Sequence, residues 1–185
     1  LKVNGVKVVL TSEDLDDAPL YGLEHPDQPV LAEEVVRYQG EPVAIVAADH
    51  PENVRLALEA IEIEYELIEP LSDPKLAKDS EAIHPDGNVI REIDLNYGNV
   101  QEEGEVVVEG TYEVGMQDQA PLGTEAGMAV PAEDGGIDLF VSTQWLHADR
   151  DQVAACLKLP PEKVRLTLAG VGGAFRARED ISLHI

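Results

Sequence analysis

Cysteine, aromatic residues and positive charge are all scarce in this sequence of 185 residues. Its single cysteine, Cys156, excludes a disulfide within the chain and the cysteine ligands of an iron–sulfur cluster. Cys156 lies beside Val153 and Leu157 in a helical pattern, so we predict a buried core thiol rather than a reactive one. This use of cysteine favours a reducing compartment.

Basic residues are outnumbered: 13 Lys and Arg stand against 37 Asp and Glu, which gives a formal charge of -24. Such a charge repels the phosphates of nucleic acids and of anionic lipids, so we expect no nucleic acid and no membrane as a partner. The charge fits a solvated surface, a salt-rich habitat or faces that meet basic partner subunits, and it does not choose among these three.

Long apolar runs are also missing. None approaches the roughly 20 residues that span a bilayer, and the first residues lack the basic-then-apolar pattern of a signal peptide. We therefore expect a cytoplasmic protein. The sequence starts at Leu1 and stops at Ile185 inside an alternating apolar stretch, so we expect a piece of a larger protein.

Motifs of several enzyme classes are absent from the sequence. It has no phosphate-binding P-loop and no G-x-S-x-G motif, which leaves P-loop and serine-hydrolase mechanisms without support. The histidines are scattered without the H-x-x-x-H or Cys/His spacing of a zinc site. They are His25, His50, His84, His147 and His184.

The first third of the chain predicts a strand, a helix and a further strand. Residues 6–10 form a β-type run, and Thr11 is suited to cap a short helix. Another apolar run covers residues 42–48, and Pro51 sits well at a first helical position. Apolar and glutamate residues alternate over 61–67, which is typical of a half-exposed strand with solvated carboxylates.

The last part of the chain predicts more strands and one helix. Alternating apolar residues indicate strands within 106–112, 128–131, 137–141 and 164–168. Between the last two, Leu146 to Leu157 has helical spacing and is stopped by two prolines. Together with the irregular, proline-rich middle, these elements predict an α+β fold. We place a small domain over 1–70, a linker over 71–99 and a second, truncated domain over 100–185.

A glycine-rich loop over residues 170–180 follows the last strand. Its glycines and alanines leave few side chains to keep a ligand from the backbone N–H groups, and its one ring is Phe175. An ordinary tight turn is the alternative, because the loop matches neither of the common nucleotide-binding glycine motifs.

Two further segments carry motifs that accompany this loop. Residues 117–131 contain a glutamine, a threonine and an "AVP" strand, and 137–144 end in "VSTQ". In order and spacing, these blocks resemble the molybdenum-cofactor subunit of the xanthine dehydrogenase and aldehyde oxidase family, which has a "GGxFGGKE" loop. The resemblance covers nearly the whole chain. It implies a small α/β-hammerhead-like domain before the first part of a molybdopterin-binding α+β domain.

The resemblance also implies site residues. Gln117 aligns with the glutamine that reaches toward the molybdenum ligands, and Gly173, Ala174, Phe175 and Arg176 occupy the loop that approaches the cofactor. Phe175 is expected to face the substrate, although a core ring is the alternative. Glu179 aligns with the glutamate that purine-oxidising members use to bind substrate, and its alternative is a solvated cluster with Arg178 and Asp180. No direct metal ligand and no catalytic residue are expected here, because the general base of the family lies further along its chain.

The function implied by the resemblance is oxidative hydroxylation of a purine-type heterocycle such as xanthine or hypoxanthine, with water as the oxygen source. Its cofactor is a molybdopterin-type molybdenum cofactor in a dinucleotide form. FAD and 2Fe-2S centres are expected on partner subunits or domains. Within the family, an aldehyde or another N-heterocycle is the alternative substrate. Outside the family, the alternative is a noncatalytic acidic binding or assembly module, with a merely structural glycine loop.

Arg176 departs from the family pattern, which has glycine after the phenylalanine. Arginine restricts the turn and adds a permanent charge with several donors. The guanidinium either turns outward to pair with Glu179 or Asp180, or points inward to hold an anionic group. We favour the outward orientation, because an unpaired buried charge is costly.

Overall fold

The computed structural model describes residues 3–17, 19–99 and 104–179. These residues form seven strands and three α-helices, with short 3-10 turns at Ser12–Asp14 and Pro161–Lys163. In chain order the elements are β1 Val6–Leu10, β2 Leu20–Tyr21, β3 Gln28–Pro29, β4 Ile45–Ala48, α1 Pro51–Glu59, α2 Pro74–Ala77, β5 Gly127–Pro131, β6 Ile137–Val141, α3 Leu146–Cys156 and β7 Val164–Leu168. The predicted α+β class is confirmed.

The chain divides into two compact units, one drawn from 1–62 and 116–185 and the other covering 63–115. In the first unit, β1 and β4 pair antiparallel, and α1 packs on them. Helix α1 begins at Pro51 as predicted, because proline suits a position whose N–H would be unpaired. His50 caps it by accepting a hydrogen bond from the Glu52 amide at 3.1 Å.

Strands β2 and β3 also pair antiparallel in this unit, which further contains a three-stranded sheet in the order β5-β6-β7. Strands β5 and β6 are antiparallel neighbours, whereas β6 and β7 are parallel and need the crossover that α3 supplies. The helix packs its buried residues on the sheet. The resulting core contains Leu139, Val141, Val153, Val164, Cys156 and, from β2, Tyr21.

Cys156 is buried in this core, as predicted, and its sulfur lies 3.7 Å from the Leu20 carbonyl oxygen. Burial raises the pKa of the thiol, because a thiolate is poorly solvated there. The thiol is therefore a packing group.

The turn between β5 and β6 is fixed by Asp134. Its carboxylate accepts a hydrogen bond from the Gly136 amide at 3.0 Å and lies 3.1 Å from Nη1 of Arg165 on β7. Arg165 also donates to Asp138 at 2.6 Å. The Gly136 amide, and then Arg165, lower the pKa of Asp134 to about 2.

The second unit contains little regular structure among its described residues. Its one helix is α2, which Asp73 caps by accepting from the Lys75 amide at 2.8 Å. The alternating stretches at 61–67 and 106–112 form no strands, so both strand predictions are wrong. Alternation of apolar and polar residues determines which side chains share a face, but a strand also needs a second strand whose backbone hydrogen-bonds to it. The domain boundaries at 70 and 99 stay predictions.

The helices in the described part of the chain are too short or too polar to cross a membrane.

Candidate cofactor site at the glycine-rich loop

The glycine-rich loop leaves the sheet at the end of β7, directly beside the end of β6. Ala169 extends the ladder by donating to the Val141 carbonyl at 2.7 Å. The Ser142 hydroxyl then donates to the Gly170 carbonyl at 2.8 Å. The first residues of the loop are thereby tied to the "VSTQ" strand end that the sequence singles out.

Four loop residues adopt left-handed backbone angles. Gly172 and Gly173 have φ of 65° and 106°, and Phe175 and Arg176 have φ of 52° and 67°. Glycine takes such angles freely, whereas a residue with a Cβ is strained by them. A Cβ placed on Gly172 would meet nothing within 4 Å, so the backbone there borders open space that a ligand can enter.

Ala174 and Phe175 turn to opposite environments. Ala174 is buried, while the Phe175 ring is 70% exposed. Within the described residues of this chain, Phe175 is therefore not a core ring. The ring lies against Gly173, where an added Cβ would come within 3.2 Å of Cε2. Phe175 is thus free to present a face to a planar ligand.

Glu179 is held from two sides. Arg176 Nε donates to Glu179 Oε1 at 3.1 Å, and Gln144 Nε2 donates to the same oxygen at 3.4 Å. Arg176 therefore has the outward orientation toward Glu179, with its side chain 79% exposed. Asp180, the other partner expected for Arg176, lies outside the described residues.

Arg178 has a different environment. It is only 3% exposed, so the interpretation of a solvated charge cluster is wrong for this residue. Its Nη2 donates to the carbonyls of Gly123 at 2.7 Å and Thr124 at 3.3 Å. Its Nε lies 3.2 Å from Glu125 Oε1 as an ion pair. Backbone carbonyls and one carboxylate thus stabilise the buried charge.

The start of α3 is organised by a second buried polar pair. Thr143 Oγ1 donates to Asp149, a carboxylate with 0% exposure, and accepts from the Trp145 amide at 3.0 Å. Because Thr143 ends the strand segment and Asp149 belongs to the first helical turn, the pair fixes the strand-to-helix corner next to the loop.

Gln117 lies on a different segment from the other predicted site residues. It is exposed, within an irregular stretch that leads to Gly123. Next to it, Asp118 accepts a hydrogen bond from the Ala120 amide at 2.7 Å, which closes a local turn. Gly173, Ala174, Phe175, Arg176 and Glu179 share the loop. Their roles, and that of Gln117, stay predictions.

Sequence reasoning missed Arg178 and the Thr143–Asp149 pair. Their partners lie far along the chain or across a corner, so no local spacing marks them. The one indication was Thr143 and Gln144 inside the quoted strand end. Among the described residues, no group of three or more His, Cys, Asp or Glu side chains is arranged to hold a metal ion.

Comparison with known families matches both parts of the chain. The profile of the aldehyde oxidase and xanthine dehydrogenase a/b hammerhead domain matches residues 1–69. The profile of the molybdopterin cofactor-binding domain matches residues 83–183. The second match includes the whole glycine-rich loop and the segment that Arg178 holds.

Two curated relatives are each 36% identical. They are a probable xanthine dehydrogenase subunit of Bacillus subtilis, of which the chain covers 25%, and the nicotinate dehydrogenase large molybdopterin subunit of Eubacterium barkeri, of which it covers 44%. These alignments use 99% and 98% of the chain. The chain therefore spans between a quarter and less than half of the length of these relatives.

Solved structures share the fold. An aldehyde oxidoreductase from Desulfovibrio gigas has a TM-score of 0.77 at 24% identity, over 91% of this chain and 20% of that chain. Quinoline 2-oxidoreductase from Pseudomonas putida 86 has a TM-score of 0.76 at 24% identity, over 99% of this chain and 26% of that chain.

Proposed function

Because the chain belongs to the aldehyde oxidase and xanthine dehydrogenase family of molybdenum hydroxylases, we propose that it forms part of a large subunit that hydroxylates a purine-type heterocycle. Xanthine and hypoxanthine are the proposed substrates, and water is the oxygen source. The hammerhead domain precedes the first part of the molybdopterin cofactor-binding domain in this assignment.

The observation that carries the proposal is the conformation of the glycine-rich loop. Left-handed Gly172 leaves open space beside the backbone, Gly173 lies against the exposed Phe175 ring, and Glu179 belongs to the same short loop. An exposed ring and a carboxylate on one loop suit a planar heterocycle that carries N–H donors.

The match to the molybdopterin cofactor-binding domain supports a molybdopterin-type cofactor, for which we propose a dinucleotide form. Gln117 and the backbone of Gly173, Ala174 and Arg176 would hold it. The amide of Gln117 can donate a hydrogen bond without adding charge, and the bare glycine backbone lets N–H groups approach an anionic group closely. The cofactor, when bound, supplies the two-electron oxidation of the substrate carbon.

Substrate binding is assigned to Phe175 and Glu179. The Phe175 ring would stack on the heterocycle, a contact worth about 0.5–1.5 kcal/mol beyond its burial. Glu179 would accept hydrogen bonds from ring nitrogens, and a site built in this way rejects molecules that lack those donors. The carboxylate also accepts a long hydrogen bond from Gln144 and one from the solvent-exposed Arg176, contacts that add little to its placement. The general base is proposed to lie outside these 185 residues.

The electron carriers are proposed to be FAD and 2Fe-2S centres on partner subunits or domains, in a cytoplasmic enzyme. The acidic surface then faces partners and solvent rather than nucleic acid or membrane. Since base and carriers would lie elsewhere, the 185-residue chain expressed alone should show no hydroxylase activity.

Metal analysis and a substrate panel test the proposal. The full-length protein, purified with its partners, should contain about one molybdenum per chain and should oxidise xanthine or hypoxanthine faster than aldehydes or nicotinate. Faster turnover of an aldehyde or of nicotinate would move the assignment to another substrate of the family. Absence of molybdenum and of all turnover, after expression with the cofactor pathway, would favour the acidic assembly module.

A further inference from the structure

Arg178 is a buried cation that no proposed step of binding uses. It is 3% exposed, within a loop whose neighbouring side chains Phe175 and Arg176 are open to solvent. A buried guanidinium is costly unless it is paired and hydrogen-bonded. Its burial therefore calls for a structural reason in the partners that it contacts.

The side-chain partners of Arg178 come from one short segment. Nη2 donates to the carbonyls of Gly123 and Thr124, at 2.7 and 3.3 Å, and Nε lies 3.2 Å from Glu125 Oε1. Its backbone meets a third segment, because its carbonyl accepts from the Gln144 amide at 3.0 Å. Position 178 thus joins the glycine-rich loop, residues 123–125 and the end of the β6 segment.

Gly123 is matched to this contact. A Cβ on Gly123 would lie 2.7 Å from Arg178 Nη2, a separation at which the guanidinium end of Arg178 has to shift. Gly123 does not have a left-handed φ, so its own backbone accepts alanine. The absence of a side chain at 123 therefore serves the approach of Arg178 and not the local conformation.

We propose that Arg178 is a positioning residue that clamps residues 123–125 to the glycine-rich loop and thereby fixes the placement of Phe175 and Glu179. The effect on substrate rests on the proposed function, whereas the clamp itself does not. Arg178 acts through the loop backbone, since its guanidinium is turned away from solvent and occupied by the 123–125 segment.

A double-mutant cycle in the full-length protein tests the clamp without any assay of turnover. Hydrogen exchange is followed in peptides covering 123–125 and 170–179, for Gly123→Ala, Arg178→Lys and the double variant. We expect Gly123→Ala to speed exchange of both peptides about tenfold, in line with coupling between contacting residues. In the Arg178→Lys background, which lacks Nη2, the same alanine should add little.

The matched control is Gly115→Ala, because an added Cβ there meets nothing within 4 Å and the φ is not left-handed. It should leave exchange unchanged. The clamp would be overturned if Gly123→Ala sped hydrogen exchange equally with arginine and with lysine at position 178. It would also be overturned if Gly123→Ala sped exchange only in the 123–125 peptide.

Kinetics then test the link to the site. Arg178→Met should raise KM about tenfold, because small misplacements of binding groups are costly, and Arg178→Lys should restore part of the loss. Val153→Ala, which hollows the buried core beneath α3, should lower Tm but leave KM near its original value. If Val153→Ala and Arg178→Met change KM equally, Arg178 has only a structural role.

If the wild-type protein holds no molybdenum and turns over no substrate, the proposed function fails. The hydrogen-exchange double-mutant cycle still decides whether Arg178 clamps residues 123–125 to the loop.

Discussion

Arg176 Nε donates a hydrogen bond to Glu179 Oε1 across 3.1 Å, on the surface of the glycine-rich loop. The two side chains differ in exposure: the Arg176 side chain is open to solvent, whereas the Glu179 side chain is mostly covered. The ion pair therefore lies at the edge of the proposed substrate site. It joins Arg176, which departs from the family pattern, to Glu179, which matches it. Exposed ion pairs of this kind stabilise a fold only weakly.

Arg176→Gly in the full-length enzyme should leave KM within about threefold, a change below ~0.7 kcal/mol. Glycine tolerates the φ of 67° at this position, and the guanidinium that is lost faces solvent. Steady-state kinetics with neutral and anionic substrates measure the effect. A rise of about tenfold or more that is confined to anionic substrates would show that Arg176 binds substrate.

Glu179→Ala should reduce turnover of purines much more than turnover of aldehydes. Without the Glu179 carboxylate, an N–H donor of the bound purine has no acceptor, and an unpaired polar group of this kind costs about 1–3 kcal/mol. The ratio of kcat/KM for xanthine to that for an aldehyde is the measurement. Gln144→Ala serves as the control, because it removes only the longer contact to Glu179, at 3.4 Å. Equal losses on both substrate classes would make Glu179 structural.

The sequence predicts well those elements whose evidence is local. Helix α1 starts at its proline, α3 stops before Pro160, and strands β6 and β7 follow their apolar alternation. The stretches at 61–67 and 106–112 show equally clear alternation but form no strands. Period two specifies which side chains share a face, whereas the hydrogen-bonding neighbour is a long-range property that the pattern does not contain.

The candidate site divides in the same way. The glycine-rich loop follows from residue types that stand together in the sequence, whereas those residue types do not decide between an exposed and a core position for Phe175. The burial of Arg178 does not follow from them either, since its carbonyl partners at Gly123 and Thr124 are distant in the chain. In isolation Arg178 and Glu179 look like one solvated charge cluster, and only the folded segment at 123–125 makes their environments differ.

Gly173→Ala should distort the loop and weaken the proposed site. The φ of 106° is strained for any residue with a Cβ, and the new methyl group would lie 3.2 Å from the Phe175 ring. Strained angles of this kind cost about 1–3 kcal/mol. Molybdenum content and hydrogen exchange of residues 170–179 are the measurements. Gly170→Ala is the control, because its Cβ would meet nothing within 4 Å. Equal effects of both variants would contradict the prediction.

Thr143→Val should destabilise the protein by about 1–3 kcal/mol, because it removes the hydroxyl that donates to the buried Asp149 carboxylate. Valine keeps nearly the same shape, so the loss reports the hydroxyl. Thermal unfolding measures it, and Thr143→Ser, which retains the hydroxyl, should recover most of the stability. If serine and valine lower Tm equally, the methyl group of Thr143 matters and its hydrogen bond does not.

Asp134→Asn should lower Tm near neutral pH and have little effect in strong acid. The pKa of Asp134 is lowered from 3.8 to about 2 by the Gly136 amide and then by Arg165, so folding favours the charged form. A depressed pKa gives stability that is fully present above the unfolded value and is lost as pH falls through the folded value. The Tm difference between wild type and variant should therefore be constant above pH about 5, narrow below pH about 4 and vanish only below pH about 2. Asparagine keeps an acceptor for the Gly136 amide, so the variant removes mainly the charge that faces Arg165.

Glu133→Gln, at the exposed neighbouring position in the same turn, should leave Tm almost unchanged across this range. A difference that stays constant down to pH 2 would assign the effect to turn geometry instead of to the carboxylate charge.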